Sequence, residues 1–345
     1  MASKFKRALT ASGDNAIHIL GIGNLGKYVA HTLMKQNPRS LAPITLLFHR
    51  KRLLADWNNG GRVIQCITHG KVDRRGGFKI EVLPNSDMDG SLDEGVTTPI
   101  KNLIVATKSY ATTSALNLIK HRLNEESNVL FLQNGMGIME EVSEHIFPDP
   151  RTRPRYWAGV YSTGSIHSTA PFHVVHAGRG SLLVGLVGDS NGPSHPDAVP
   201  SNHMLQQLLD DDILGTELVS PEKIKRAQLR KLVVSSIIDP LTVLFNCTNG
   251  EVFNSKPRMA LLRLLVRETG RIVRGLLGDL SDEDWQVFSG NPLRELVVSV
   301  SAKTSQSTSS MLQDARAGRR TEIDYINGYL TTQADRLRLK GQGYS

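Results

Sequence analysis

The chain has 345 residues, of which 39% are hydrophobic and 21% charged, and its formal net charge is +8 at pH 7. A length of this order suggests two domains with sizeable cores. No window approaches about 18 uninterrupted apolar residues, so a membrane-spanning helix is not expected. The positive excess allows an anionic ligand, but the chain has no basic run with interleaved aromatics, so nucleic acid is not an expected partner.

The cysteine content points to a reducing compartment. Cys66 and Cys247 provide neither a disulfide framework nor a metal-ligand spacing, so no metal site is expected. The N-terminal residues lack an apolar core of signal-peptide length, and we therefore expect a cytoplasmic protein. Lys4, Lys6 and Arg7 precede the first acid, Asp14, and leave mitochondrial targeting as the alternative.

The first predicted element is a short strand at Ala16–Leu20, which leads into the turn GIGNLG and a helix at Lys27–Lys35. In such a unit the first glycine permits a tight turn, the second lets the backbone approach a pyrophosphate, and the third lets the helix pack on the strand. The phosphates would lie at the start of the helix, where free N–H groups favour an anion. The pattern predicts a dinucleotide site; the alternative is a turn that only packs a helix on a sheet. The predicted cofactor-binding residues of the turn are Gly21, Gly23, Asn24, Leu25 and Gly26.

The second predicted strand, Ile44–Phe48, is followed by a basic cluster that includes Arg50 and Lys51. An enzyme that uses NAD usually has an acid at this place, to bind the ribose hydroxyls. Guanidinium and ammonium groups can instead hold a 2′-phosphate, so the cluster favours NADPH as the cofactor. A solvated basic loop is the alternative interpretation.

Two further apolar runs, Asn102–Thr107 and Val129–Leu132, are typical of buried parallel strands. Lys108 directly follows the first run, and Asn134 follows the second. Ligands collect at the carboxyl ends of strands in open α/β sheets, so both residues are candidates for contact with a cofactor or substrate. The alternatives are an exposed lysine and a plain Asn-Gly turn.

The next two predicted strands, Phe172–His176 and Ser181–Val187, are expected to form a hairpin that extends the sheet. A polar loop rich in turn formers follows, and we place the domain boundary close to it, with domains at residues 1–205 and 206–345. Beyond the boundary almost every pattern is helical. The long helix predicted at Met259–Leu277 has a row of arginines on one face, which we expect to be solvated or to face a partner in a dimer. These are Arg263, Arg267, Arg271 and Arg274.

The most informative helical stretch is Leu229–Gly250, because a polar stripe interrupts its apolar sequence. The polar residues recur every three or four positions, which places them on one helical face. The stripe either lines a cleft or forms a satisfied internal network. Pro240 lies inside the run and is expected to kink or split the helix near Asp239. The stripe consists of Lys231, Ser235, Asp239, Thr242, Asn246 and Asn249.

Taken together, these blocks resemble the ketopantoate reductase family, over nearly the whole chain. The resemblance rests on the glycine turn and on QNGMG at Gln133–Gly137. It also rests on RKLVVSSIIDPLTVLFNCTNGE at Arg230–Glu251 and on SSMLQDARAGRRTEIDYINGYL at Ser309–Leu330. It implies an α/β fold with an N-terminal Rossmann dinucleotide-binding domain and an all-α C-terminal domain. It further implies reduction of 2-dehydropantoate to (R)-pantoate with NADPH, in pantothenate and coenzyme A biosynthesis, at a site in the interdomain cleft.

The resemblance also implies roles for individual residues. The catalytic lysine of the family falls on Lys231 and its catalytic glutamate on Glu322, while Asp324 is the competing acid. Lys108 falls on a position near the cofactor, Asn134 on one near both cofactor and substrate, and Ser310 on a substrate-binding serine. Hydride delivery to a ketone produces an alkoxide, which an ammonium group can stabilise and protonate.

Three substitutions depart from the pattern of the family. Ser235 and Asp239 stand where the resemblance leads us to expect asparagines, and so does Ser307. Because amides at these positions help to bind the substrate carboxylate and hydroxyl, Ser235 and Asp239 become candidate substrate-binding residues with altered preference. We therefore keep two alternatives: a paralogue that reduces another 2-oxo acid, and a non-catalytic member that acts as a binding or regulatory protein. Either a monomer or a homodimer is expected.

Overall fold

The computed structural model describes residues 15–36, 42–49, 51–83, 97–162, 166–176, 178, 180–187, 202–278 and 280–339. Contacts between residues divide the chain into two compact units. The first comprises residues up to 133 together with 139–224, and the second comprises 134–138 together with residues from 225 onward. Within the described ranges, no helix is long and apolar enough to cross a membrane.

The first unit is built on an eight-stranded sheet with the order β12-β11-β8-β7-β6-β1-β2-β5. Every neighbouring pair is parallel except β8 and β11, which run antiparallel. The central strands are apolar and buried on both faces, as parallel strands covered by helices must be. The strands are β1 (Ile17–Leu20), β2 (Ile44–Phe48), β5 (Lys79–Val82), β6 (Asn102–Val105), β7 (Asn128–Phe131), β8 (Arg155–Ser162), β11 (Ser181–Val187) and β12 (Thr216–Val219).

Helices connect these strands, as parallel pairing requires. They are α1 (Asn24–Gln36), α2 (Lys51–Asn59), α3 (Ser109–Asn117), α4 (Ile138–His145) and α5 (His203–Leu209). One apolar core of this unit joins Ile19 and Leu46 of the sheet to Val29 and Leu33 of α1.

A second sheet of four strands has the order β4-β3-β10-β9. It consists of β3 (Ile64–Thr68), β4 (Lys71–Arg75), β9 (Ile166–Ala170) and β10 (His173–His176). The expected hairpin between β10 and β11 is wrong, because β10 pairs with β3 and β9 while β11 pairs with β8 of the large sheet. The apolar pattern located both strands but carried no information about their partners.

The second unit is helical. It contains most of α6 (Pro221–Phe245), then α7 (Lys256–Leu277), α8 (Asp282–Phe288), α9 (Gly290–Lys303), α10 (Ser310–Arg316), a π-helical turn at Asp324–Gly328 and α11 (Tyr329–Arg336). Its core includes Leu229, Val233 and Ile237 of α6, packed with Val266 of α7 and Val297 of α9. The fold class expected from the sequence, a Rossmann-like α/β unit and a helical unit, is confirmed.

The boundary near residue 205 stays a prediction. β12 lies beyond that position and pairs with β11 of the large sheet, and the contacts group residues up to Ile224 with the first unit.

Candidate active site

The glycine turn between β1 and α1 needs its first and third glycines for backbone reasons. Gly21 has a φ of 99°, and a Cβ there would collide with the backbone of Ala106 and Thr107. A Cβ at Gly26 would collide with the Gly21 carbonyl oxygen. Both positions therefore exclude a side chain, and they hold the start of α1 against the ends of β1 and β6.

Gly23 is different, because the protein itself leaves space around it. The nearest atom to a Cβ at this position is the Ala106 carbonyl oxygen, at 3.9 Å. Packing within the protein thus does not explain the glycine, whereas close approach by a ligand would. The turn directly precedes the first N–H groups of α1, which have no acceptors within the helix and favour a negatively charged group. The residues present therefore fit the pyrophosphate of a dinucleotide.

Of the other predicted cofactor residues, the structure describes the side chain of Lys108 but not those of Arg50 and Lys51. Arg50 lies outside the described residues, and so does the side chain of Lys51, the first residue of α2. Lys108 is the N-cap residue of α3, at the carboxyl end of β6, and is partly buried. Its backbone carbonyl accepts hydrogen bonds from Ala111 N at 2.9 Å and from Thr112 Oγ1 at 3.2 Å.

Sequence reasoning missed Lys27, which follows the glycine turn and is only 6% exposed. Its ammonium donates to Ser168 Oγ in a short contact and to the His173 carbonyl oxygen at 3.4 Å. Burial lowers the pKa of Lys27 to about 8. A lysine in the first turns of a helix is usually solvated, and no sequence pattern indicated that strands β9 and β10 would cover this one.

In the second unit, three charged residues of the predicted site influence one another. Burial lowers the pKa of Lys231, and the carboxylates of Glu322 and Asp239 act in the opposite direction. Glu322 is 4% exposed, while Lys231 and Asp239 are partly buried. Lys231 and Glu322 are about ninety residues apart in sequence, and the fold places them in one electrostatic environment.

Asp324, the competing acid, occupies a different environment. Its side chain is 61% exposed and pairs with Arg320 at 2.9 Å, four residues earlier. Exposed pairs of this kind contribute little to stability. The structure therefore places Asp324 on the surface of the helical unit.

The polar stripe of α6 has two parts. Ser235 is partly buried, like Lys231 and Asp239 on the same face. Near the end of the helix Thr242 is fully buried, and its hydroxyl lies 2.6 Å from both the Asp239 carbonyl oxygen and Ser309 Oγ. Asn246 and Asn249 lie beyond Phe245, the last residue of α6, and are not part of its face. Thr242 therefore belongs to an internal network, whereas the cleft expected along Lys231, Ser235 and Asp239 stays a prediction.

Ser309 also fixes the position of α10. It is the buried N-cap residue, and its hydroxyl accepts a hydrogen bond from Leu312 N at 3.0 Å. Ser310, the residue matched to a substrate-binding serine, is the first residue of the helix and is exposed. The sequence did not distinguish these neighbouring serines, although a serine at the start of a helical pattern is a recognised capping signal.

Of the two outcomes expected at Pro240, a split helix is wrong, since α6 is continuous from Pro221 to Phe245, and a kink stays a prediction. Proline has no N–H, so the carbonyl of Ser236, four residues earlier, lacks its usual donor. The side-chain amide of Asn327 donates to this carbonyl at 2.9 Å. Asn327 belongs to the π-helical turn that follows Glu322, and it therefore ties the lysine helix to the glutamate segment. The proline signalled the missing donor, but the sequence could not say which residue replaces it.

The QNGMG loop is joined to the same π-helical turn. Met136 N donates to the Tyr325 carbonyl oxygen at 2.9 Å. Gly135 and Gly137 have φ values of 81° and 92°, and a Cβ at Gly135 would collide with the Tyr325 backbone. The loop thus approaches so closely that only glycine fits, and Asn134 immediately precedes the contact. Asn134 is therefore held in the same unit as Lys231 and Glu322.

These features define a class of protein. A Rossmann-like sheet whose first turn fits a dinucleotide phosphate is combined with a helical unit that holds a partly buried lysine and a buried glutamate. This combination is typical of a nicotinamide-dependent dehydrogenase with separate cofactor and catalytic units.

Comparison with known proteins specifies the family. Residues 17–189 match the family model described as Ketopantoate reductase PanE/ApbA, and residues 223–340 match the model of its C-terminal part. The chain is 30% identical, over 93% of its length and 91% of the other protein, to a probable 2-dehydropantoate 2-reductase of Schizosaccharomyces pombe. It is 29% identical, over 94% of its length and 79% of the other protein, to a ketoisovalerate reductase of Gibberella fujikuroi.

Among solved structures, the probable 2-dehydropantoate 2-reductase of Bacillus subtilis is similar, with a TM-score of 0.64 and 25% identity over 93% of both chains. A D-mandelate dehydrogenase shares the fold, with a TM-score of 0.71 and 19% identity over 93% of this chain and 92% of that chain. The chain belongs to the ketopantoate reductase family. It is an NADP-dependent oxidoreductase that acts on CH–OH groups.

Proposed function

We propose that the protein reduces the ketone of 2-dehydropantoate to (R)-pantoate with NADPH. The observation that carries the proposal is the common environment of Lys231, Glu322 and Asp239 in a chain of this family. The relatives named for this reaction, from S. pombe and Saccharomyces cerevisiae, are each matched over more than 90% of the chain. A match of this extent spans both units.

In the proposed reaction the ketone carbon accepts a hydride and the ketone oxygen becomes an alkoxide. NADPH supplies the hydride when it is bound. The ammonium group of Lys231 stabilises the developing negative charge and transfers one proton to the oxygen, which leaves a neutral amine on Lys231 and a hydroxyl on the product. Lys231 then regains a proton from solvent before the next cycle.

The carboxylates near Lys231 favour its protonated form. Burial alone favours the neutral amine, because a charged group loses solvation when it leaves water. Glu322 and Asp239 favour the ammonium and so oppose this effect. We assign Glu322 the further role of orienting the ammonium, since it is buried and its segment is fixed to α6 through Asn327.

Polar residues near the lysine are proposed to bind the substrate. Asn134 would donate to the carboxylate or ketone from the loop that glycines hold against Tyr325. Ser235 and Asp239 lie one and two turns beyond Lys231 on the same face of α6, and Ser310 begins α10. Because Asp239 is an acid where the family pattern has an amide, it would accept a substrate hydroxyl rather than donate to a carboxylate.

The test is NADPH oxidation by the purified protein with 2-dehydropantoate. Lys231→Ala is expected to lower kcat/KM by about 100-fold or more, the usual contribution of a positioned acid. Lys225→Ala removes an exposed lysine from the same helix and is the matched control, with activity unchanged. Full activity of Lys231→Ala would refute the assigned role, and a native protein that does not turn over any 2-oxo acid would refute the enzymatic proposal.

A second candidate substrate is 2-oxoisovalerate. The ketoisovalerate reductase of G. fujikuroi is nearly as similar as the relatives named for 2-dehydropantoate. Ser235 and Asp239 remove two expected amides, which changes the polar contacts available to the substrate. The two ketones differ by a hydroxymethyl group, so a comparison of their kcat/KM values decides between them. A higher value for 2-oxoisovalerate would overturn the first assignment while leaving the reaction type unchanged.

The cofactor assignment has its own test at the glycine turn. Gly23→Ala places a methyl group where the protein leaves space, so stability is expected to stay within about 0.5 kcal/mol of the native protein. The KM for NADPH is expected to rise by about 10-fold, or about 1.4 kcal/mol, because the methyl group would obstruct the pyrophosphate. Gly26→Ala is the contrasting variant, since its collision with Gly21 reduces stability directly. An unchanged KM in Gly23→Ala would contradict the placement of the cofactor.

A further inference from the structure

A cavity in the helical unit is lined mainly by arginines. It has a volume of about 270 Å³ and lies between α7 and α9. None of its lining residues belongs to the proposed active site. The lining residues are Arg263, Val266, Arg267, Arg274, Gly290, Asn291 and Arg294.

The arginines of α7 occupy one face of the helix by their spacing. Arg263 and Arg267 are four residues apart, and Arg274 is seven residues further on. Like charges at a spacing of four residues destabilise a helix by about 0.2–0.5 kcal/mol, so the arrangement brings no benefit by itself. A ligand of opposite charge would remove this repulsion.

No carboxylate offsets these charges within the part of the chain that the structure describes. The lining contains no acid, and no described carboxylate pairs with Arg263, Arg267 or Arg294. The buried acid of the neighbouring helix, Asp284, is already paired with Arg226 at 3.0 Å. The cavity is therefore positively charged, because its four arginines are not offset by an acid in the lining.

Other groups at the cavity are fixed in position. The Arg274 guanidinium donates to the Phe288 carbonyl oxygen at 2.6 Å and lies over the ring of Trp285, 5.3 Å from its centroid. Gly290 and Asn291 form the first turn of α9, a helix of 14 residues whose N-cap side chain makes no capping hydrogen bond. The two residues therefore lie at the positive end of a helix dipole, beside the arginines.

We propose that this cavity is a second anion site, which binds phosphate or a small phosphorylated metabolite. Guanidinium groups match the geometry of phosphate oxygens and bind them through paired hydrogen bonds. The volume is below that of a typical site for a drug-sized ligand and favours a small anion over a whole dinucleotide. A second copy of the chain is a poor occupant, because an isologous interface would bring the arginines of both copies together.

The experiment measures binding to the full-length protein by isothermal titration calorimetry. Saturating NADP⁺ occupies the cofactor site, and sodium chloride keeps the ionic strength constant. Orthophosphate, pyrophosphate and glycerol 3-phosphate are titrated separately, which distinguishes the inorganic ion from an organic phosphomonoester. The variant Arg267→Gln/Arg294→Gln removes two cavity charges, and Lys303→Gln/Arg336→Gln removes two exposed charges of the same unit outside the cavity.

At least one of these anions is expected to bind with a stoichiometry of one. Affinity should fall by about 10-fold or more in the cavity variant, as the loss of charge-assisted hydrogen bonds predicts, and should stay within about 2-fold in the control. Arg294→Lys keeps the charge but loses the planar fork, and is expected to bind with intermediate affinity. Equal losses in the cavity variant and the control, or no saturable binding by the native protein, would overturn the proposal. A thermal melt without ligand shows that each variant is folded.

Discussion

Replacing Asn327 with leucine removes the only amide that the structure shows donating to the Ser236 carbonyl, within the described part of the chain. Pro240 cannot supply the missing N–H, so the carbonyl is left without a donor inside the helical unit. A buried acceptor in this state costs about 1–3 kcal/mol. The single substitution also removes Asn327 Oδ1, which is buried and has no hydrogen-bond partner, so the two effects partly cancel.

A double-mutant cycle with Pro240→Ala separates these effects. Alanine restores an N–H that can bond the Ser236 carbonyl, so the second substitution should compensate for the first. We expect Pro240→Ala to stabilise the Asn327→Leu variant by about 1–2 kcal/mol more than it stabilises the native protein. Free energies of unfolding would be measured with urea and far-UV circular dichroism.

The matched control is Asn117→Leu, an exposed asparagine in the first unit, which should show no coupling to Pro240→Ala. A coupling within about 0.5 kcal/mol of zero for Asn327 as well would refute the reasoning, because that is the scatter expected of independent sites. The same variants also test function. If Asn327 orients the glutamate segment against the lysine helix, Asn327→Leu should lower kcat more than it raises the KM for the 2-oxo acid.

Two further predictions concern the loop and the lysine. Gly135→Ala combines a positive φ with a collision against Tyr325, whereas Gly61→Ala has a similar φ of 77° in open space. We expect both to lose about 1–2 kcal/mol from backbone strain and Gly135→Ala to lose about 1–3 kcal/mol more, measured by urea unfolding; equal losses would contradict the close packing. Asp239→Asn removes a carboxylate that raises the pKa of Lys231, so that pKa should fall. Because the protonated lysine is the proposed donor, the alkaline limb of kcat/KM should move to lower pH, and a limb that stays in place would exclude the interaction.

The sequence predicted the parts of the fold that depend on local pattern. Glycines with strict backbone requirements and continuous apolar strands identified the first unit, and a three-to-four-residue repeat identified α6. The partners of β10 and β11 escaped prediction, because an apolar strand of one sheet has the same pattern as one of another. Pairing depends on contacts between distant segments, which periodicity does not record.

In the candidate site, too, the sequence indicated what depends on local pattern and missed what depends on contacts between distant segments. Lys231 stood out in the sequence as a lysine within an apolar helix, and the family resemblance added Glu322. Their common environment depends on the fold alone. Lys27 and Asn327 were missed because their partners lie far away in sequence. Lys27 is covered by strands β9 and β10, and Asn327 donates to the Ser236 carbonyl, which Pro240 leaves without its usual donor.

The short segment from Asn134 to Ile138 has a consequence for the modularity of this protein. The chain passes from one compact unit to the other after Gln133, after Ile138 and again after Ile224. A fragment that begins at Lys225 would therefore lack the loop that covers the backbone of Tyr325. If the helical unit were exchanged between relatives at a single junction near Lys225, Asn134 would stay with the first unit. It would then come from a different protein than Lys231 and Glu322, with which it shares a unit. A functional chimera would therefore have to transplant this five-residue segment together with the helical unit, even though each unit has its own core.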